Sequence, residues 1–219
     1  MSESGSAQAA DSPSGAALVR GGLVVPTVLF ALYLTHAAAA AILAVGASRV
    51  FFLTAGFTSG AACSAITVLA IAGALGAAFA GLRSRHAAAP MALLALTEAG
   101  FGLAALVSVG VFRLARALYL VLWPVLGHSA VGAFGLRLLL AAGMFALPAA
   151  LYCATIPILS RLIAARPEGI GLSLGFSFGL SMAGSALGLA VAGTLVLPSL
   201  GVRGNFLMGL ALAGIAAAG

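Results

Sequence analysis

The chain has 219 residues, of which 63% are hydrophobic and 6% charged, and its ten arginines, with no lysine, outweigh four acidic residues to give a net charge of +6. A soluble globular domain carries about 25% charged residues, so this composition excludes one and points to an all-α, polytopic transmembrane helix bundle. No basic cluster with interleaved aromatics is present, so the positive balance belongs to membrane topology and not to nucleic acid.

In chain order, the N-terminal stretch MSESGSAQAADSPSGAALVRGG is small and polar, with too little apolar surface to fold by itself. Residues 1–21 are expected as a disordered cytoplasmic tail and 22–219 as the transmembrane bundle. The first apolar run starts too late and is too long for a signal peptide. A span needs about 20 mostly apolar residues, and six stretches reach or approach that length: 23–46, 50–81, 90–112, 130–160, 170–197 and 205–219. Between the third and fourth lies RLARALYLVLWPVLGHS, whose two arginines, Tyr119, Trp123 and Pro124 predict one amphipathic helix lying on the membrane surface. The last run, NFLMGLALAGIAAAG, is shorter than a span, so the natural chain is expected to continue past Gly219. With a cytoplasmic N-terminus, Arg20, Arg83, Arg85, His86, Arg161 and Arg166 face inward, while Arg49, Arg113, Arg116 and Arg203 face outward. The positive-inside rule leans toward this orientation, in a bacterial inner membrane.

Small residues recur at helix-packing spacing. Gly171, Gly175 and Gly179 form one row, Gly184 and Gly188 a second on a neighbouring face, and Gly73, Ala77 and Gly81 a third. Such rows let helix backbones approach closely in lipid, within one bundle or, alternatively, across a homodimer or a larger membrane complex. Cys63 and Cys153 read as small buried hydrophobes. Pro148 and Pro157 predict a kinked fourth helix, with Thr155 and Ser160 placed to take up carbonyls freed around Pro157 and Arg161 anchoring its cytoplasmic foot.

Glu98 is the one acidic residue inside an apolar run. A carboxyl at that depth is costly, so it is expected to face the bundle interior, in a structural interaction or in a substrate or proton role. Glu98, Arg137 and Ser181 form the candidate intramembrane polar site, with Arg137 as the expected partner and Thr97, Ser181 or Ser185 as fallbacks. His36 and His128 lack the companions or spacing of a metal or haem site, and no catalytic, cofactor-binding or metal residue is expected. Tyr33, Tyr119, Tyr152 and Trp123 read as interfacial anchors.

The run ATIPILSRL resembles a segment of membrane-embedded spermidine synthase-like proteins, also described as fused transporter-like and spermidine synthase proteins. AIAGALGAAFAGLRSR is similar to that family's Gly-rich second helix with its basic loop, and LALTEAGFGLAAL to its third helix with an acidic residue. GTLVLPSLGVRGNFLMGLAL resembles its late helix, ending in a Leu-Pro-x-x-Gly-x-Arg-Gly turn. The sequence departs from the family pattern at HAAAAAILAVGASR and at Ser181, where relatives carry other polar groups. The resemblance implies a membrane module, itself non-catalytic, that anchors or supplies a soluble aminopropyltransferase domain. The Gly-rich and acidic machinery of that domain is missing from these residues. Two alternatives are a structural subunit packed into a larger membrane complex, and a major-facilitator-like half-transporter for a small polar or amine solute.

Overall fold

The computed structural model describes residues 15–87, 89–163 and 170–218. All the elements are helical: α1 (Gly15–Ala55), α2 (Ser59–Arg85), α3 (Pro90–Leu126), α4 (Ala130–Ile163), α5 (Ile170–Val191), a π-helical stretch Ala192–Val196, and α6 (Leu197–Ala218). Five helical runs are long and apolar enough to cross a membrane. The protein is an all-α, polytopic membrane protein in contact with lipid.

Helix boundaries differ from the sequence expectation at three places. α1 opens at Gly15, inside the stretch expected as tail, while residues 1–14 lie outside the described residues. It also runs on to Ala55, so Val50–Ala55 closes the first helix and does not open the second. The cause is local: Gly56 takes φ 88, which a glycine adopts without strain, and its N–H donates to the Phe52 carbonyl at 2.9 Å. Thr58 then caps α2, its side chain accepting from the Ala61 N–H at 3.2 Å.

The third difference is that residues 113–126 form no separate surface helix; they continue α3 without a break from Pro90. Neither glycine nor proline interrupts 111–123, Phe112 and Ala115 are buried, and Pro124 falls in the last turn, where a lost hydrogen bond matters least.

The 46-residue apolar run Ser173–Ala218 is broken at Gly201, whose φ 65 and ψ −169 lie outside helix geometry. The chain reverses there. Ascending α5, Gly184 packs beside Leu34 and Ala37, and Gly188 beside Ala38 and Ala41, so α5 runs parallel to α1. Descending α6, Asn205 lies beside Gly46 and Gly209 beside Leu43 and Ala39, so α6 runs antiparallel to α1. Just before the reversal Pro198 cannot donate to the Thr194 carbonyl, and the ladder widens into the π-helical stretch.

α4 is the hub of the other half. It runs parallel to α2, with Gly76 against the Ala150 backbone and Gly81 near Pro157, and antiparallel to α3, with Gly143 near Val111 and Gly100 near Leu151. A methyl group on Gly76 would lie 2.0 Å from the Ala150 carbonyl oxygen, so the approach of α2 to α4 depends on that glycine. Phe51 meets Phe145 edge to face at 5.5 Å, and Phe112 meets Phe206 at 5.2 Å, tying the two halves together.

Of the two small-residue rows on α5, Gly184 and Gly188 pack on α1, whereas Gly171, Gly175 and Gly179 meet nothing within 4 Å among the described residues and face outward.

Both prolines of α4 sit within a continuous helix. Pro148 leaves the Met144 carbonyl without its usual donor, and Ser108 of α3 donates to it at 3.4 Å. Around Pro157 the hydroxyls bond other carbonyls than the freed one at Cys153: Thr155 donates to Tyr152 O at 2.6 Å and Ser160 to Ile156 O at 2.7 Å.

Candidate functional site

Polar side chains from four helices meet at one level inside the bundle. On α1, Tyr33 and His36 are 2% and 0% exposed, three positions apart and so on one face. On α3, the stripe Leu94, Glu98, Phe101 and Ala105 is buried at helical spacing, which turns the Glu98 carboxyl inward. α4 contributes Tyr152 and Thr155, and α5 contributes Ser181 and Ser185.

His36 is the hinge of this cluster. Its Nδ1 is in direct contact with Glu98 Oε2. The contact lacks hydrogen-bond alignment, and Nε2 has no hydrogen-bond partner among the described residues. The imidazole stacks on Tyr152 at 5.3 Å and Tyr33 at 6.0 Å and meets the edge of Phe101 at 4.8 Å, so aromatic surface encloses it. The Tyr152 hydroxyl is 2.5 Å from Ser181 Oγ and 3.1 Å from Ser185 Oγ, and Tyr33 OH lies 3.5 Å from Thr155 Oγ1.

Two cavities flank the cluster. The smaller, about 110 Å³, is bordered by Glu98, Tyr33, Leu29, Met91, Leu94 and Ala216, and runs from the end of the bundle where α3 begins to the carboxyl. The larger, about 330 Å³, lies on the other side of Tyr152.

The three residues expected to form the polar site do not all meet. Glu98 and Ser181 belong to the cluster, linked through His36 and Tyr152. Arg137 stands at the opposite end of the bundle: its Nε donates to the Ala55 carbonyl at 3.2 Å and its guanidinium lies 5.4 Å from the centre of the Trp123 ring. Ala55 is nineteen positions beyond His36 on α1, about 28 Å at 1.5 Å per residue, which is beyond the reach of any side chain. Arg137 therefore closes the carboxyl end of α1, where a cation is favoured, and Arg161 does the same for α2 through the carbonyls of Ser84 and, at 3.1 Å, Arg85.

Compared with known protein families, with curated proteins and with solved structures, the chain matches none.

Tyr33, buried, and Tyr152, half-buried, are not interfacial anchors but part of the polar cluster; Tyr119 and Trp123, stacked at 5.0 Å near the end of α3, fit the anchor role. Asn205 was not singled out by sequence reasoning. It is fully buried on α6 and donates to the Ile42 carbonyl in the space left by Gly46. The available signal was composition, since Asn205 is the only asparagine in the chain and lies within an apolar run. Among the described residues no group of three or more His, Cys, Asp or Glu could hold a metal ion.

Proposed function

We propose that the chain is an integral membrane module of six crossings that binds a small protonated amine at Glu98, and is not a passive anchor. An anchor needs only an apolar surface, and a buried carboxyl costs it stability. The observation that carries this reading is the placement of the Glu98 carboxyl, which sits against His36 and borders a cavity leading to the bundle end. A carboxylate that shares its cavity with the Tyr33 ring offers an ammonium group both a counter-charge and an aromatic neighbour. The resemblance to the membrane region of spermidine synthase-like proteins points to the same chemistry, because polyamines are protonated amines. The Leu-Pro-x-x-Gly-x-Arg-Gly turn of that resemblance falls on the reversal at Gly201. In this reading the chain carries out no aminopropyl transfer and sits in a bacterial inner membrane. Its N-terminus and the mouth of the Glu98 cavity then face the cytoplasm.

The test is thermal unfolding of the chain in lipid nanodiscs with putrescine, spermidine and methylamine, against sodium chloride at matched ionic strength. Amines raise the unfolding midpoint of the wild-type chain, and Glu98→Gln removes the rise. Equal midpoints with every amine, or an undiminished rise in the variant, would overturn the reading.

A second reading, a subunit packed into a homodimer or larger membrane complex, has the outward row of Gly171, Gly175 and Gly179 in its favour. Loss of a higher-mass species on Gly175→Leu in mild detergent would support it.

A further inference from the structure

The larger cavity touches all six helices. Ala40 and Ala44 line it from α1, Leu69 from α2, Phe112 from α3, Pro148 from α4, Leu189 from α5 and Phe206 from α6. Its walls are aliphatic and aromatic, and its hydroxyls are those of Ser108, Tyr152 and Ser185. At about 330 Å³ it has the size of a small-molecule site and not of a packing defect.

Its position selects what can enter. The lining stretch of α4, 144–153, lies between Arg137 and Arg161, which are 24 positions or about 36 Å apart and close opposite ends of the bundle. A hydrocarbon core is about 30 Å thick, so the cavity lies at the depth of the lipid tails. Leu69 and Leu189, 40% and 51% exposed, line it while also standing on the outer surface of α2 and α5. A molecule arriving between them comes from the bilayer interior and is already lipid-soluble.

The polar end fixes its chemistry further. Ser108 is committed, donating to Ala104 O at 2.8 Å and reaching Met144 O. Tyr33, Ser181, Tyr152 and Ser185 form a chain of four hydroxyl hydrogens, and the three bonds along it use three. One hydrogen is left, on a chain whose Tyr152 and Ser185 members face the cavity.

From this we infer a binding site for a lipophilic molecule with an apolar body and one hydrogen-bond-accepting oxygen, the body filling the cavity and the oxygen accepting from the Tyr152–Ser185 hydroxyl chain. The site is separate from the cavity at Glu98, and the two meet at the Tyr152 and Phe101 rings, both of which contact His36.

The probes are 2-decanone, which accepts but cannot donate, and decane, which does neither, added to the full chain in nanodiscs while thermal unfolding is followed. The ketone raises the midpoint more than the alkane does. Ser185→Ala, and separately Tyr152→Phe, which keeps the stacked ring, removes that difference. Ala44→Leu, which adds bulk at an exposed position on the cavity wall, removes the response to both probes and so subtracts any effect of the probes on the bilayer. Ketone and alkane acting alike on the wild-type chain would overturn the inference, as would a response undiminished in Ala44→Leu. Glu98→Gln separates the two sites: it abolishes the amine response and leaves the ketone response intact, so either proposal can fail without the other.

Discussion

His36 Nδ1 rests against Glu98 Oε2 with the imidazole fully buried, so α1 and α3 are joined inside the bundle by a polar contact that neither helix can satisfy alone. Removing one partner of a buried pair leaves the other stranded, at about 3–5 kcal/mol in soluble proteins, whereas replacing both by apolar groups of similar volume is often neutral. Glu98→Ala is therefore expected to lower stability strongly, and the double variant His36→Phe with Glu98→Leu to recover most of the loss. Unfolding titrations with SDS in mixed micelles read both. A double variant no more stable than Glu98→Ala would show that the contact is not what the single substitution breaks.

Ser108 and Pro148 form a second testable couple. Pro148 withholds the N–H that would bond Met144 O, and Ser108 supplies a donor from α3. Ser108→Ala is expected to cost about 1 kcal/mol. In a Pro148→Ala background, where a backbone N–H takes over, it should cost less. A double-mutant cycle with no coupling would leave Ser108 bonded only to its own helix, through Ala104 O.

What the sequence made legible here was local. Glu98 stood out because a carboxyl in an apolar run is costly wherever the chain places it. The glycine rows stood out by spacing, although spacing alone did not say that Gly184 packs on α1 while Gly175 faces outward. The true neighbour of Glu98 stayed hidden, because His36 lies 62 positions earlier on a helix whose rotation and height relative to α3 no single segment encodes. Arg137 was paired with Glu98 by depth, but a guanidinium gains as much from the carbonyls at the end of α1, and those became visible only once α1 was seen to extend to Ala55. The continuity of α3 was missed for the opposite reason. Arg113, Arg116, Trp123 and Pro124 do look interfacial, yet nothing between Pro90 and Leu126 breaks the helix that carries them.

The glycine contrast gives a third prediction. Gly76→Ala would place a methyl group 2.0 Å from the Ala150 carbonyl oxygen and force α2 away from α4, at an expected cost above about 2 kcal/mol. Gly175→Ala meets open space and should shift stability by less than about 0.5 kcal/mol in either direction. Thermal unfolding of the two variants side by side decides it, and equal effects would contradict the close approach of α2 to α4.

The last prediction concerns the reversal at Gly201, on which the proposed count of six crossings rests. If Ser173–Ala218 were one continuous helix of 46 residues, it would extend about 69 Å, more than twice the hydrocarbon thickness, and its end could not return to α1. Yet Gly209 lies beside Leu43, and Ala216 borders the same cavity as Leu29 and Tyr33. The turns at Phe57, Ser129 and Leu200 should therefore open on one membrane face and His86 on the other. Single cysteines at these four positions, in a chain with Cys63 and Cys153 replaced by alanine, can be labelled in right-side-out and inside-out vesicles with a membrane-impermeant maleimide. The expected pattern is common labelling of 57, 129 and 200 from one side and of 86 from the other, with 86 on the cytoplasmic side. Labelling of 200 together with 86 would place the reversal on the wrong face and reduce the crossings to five.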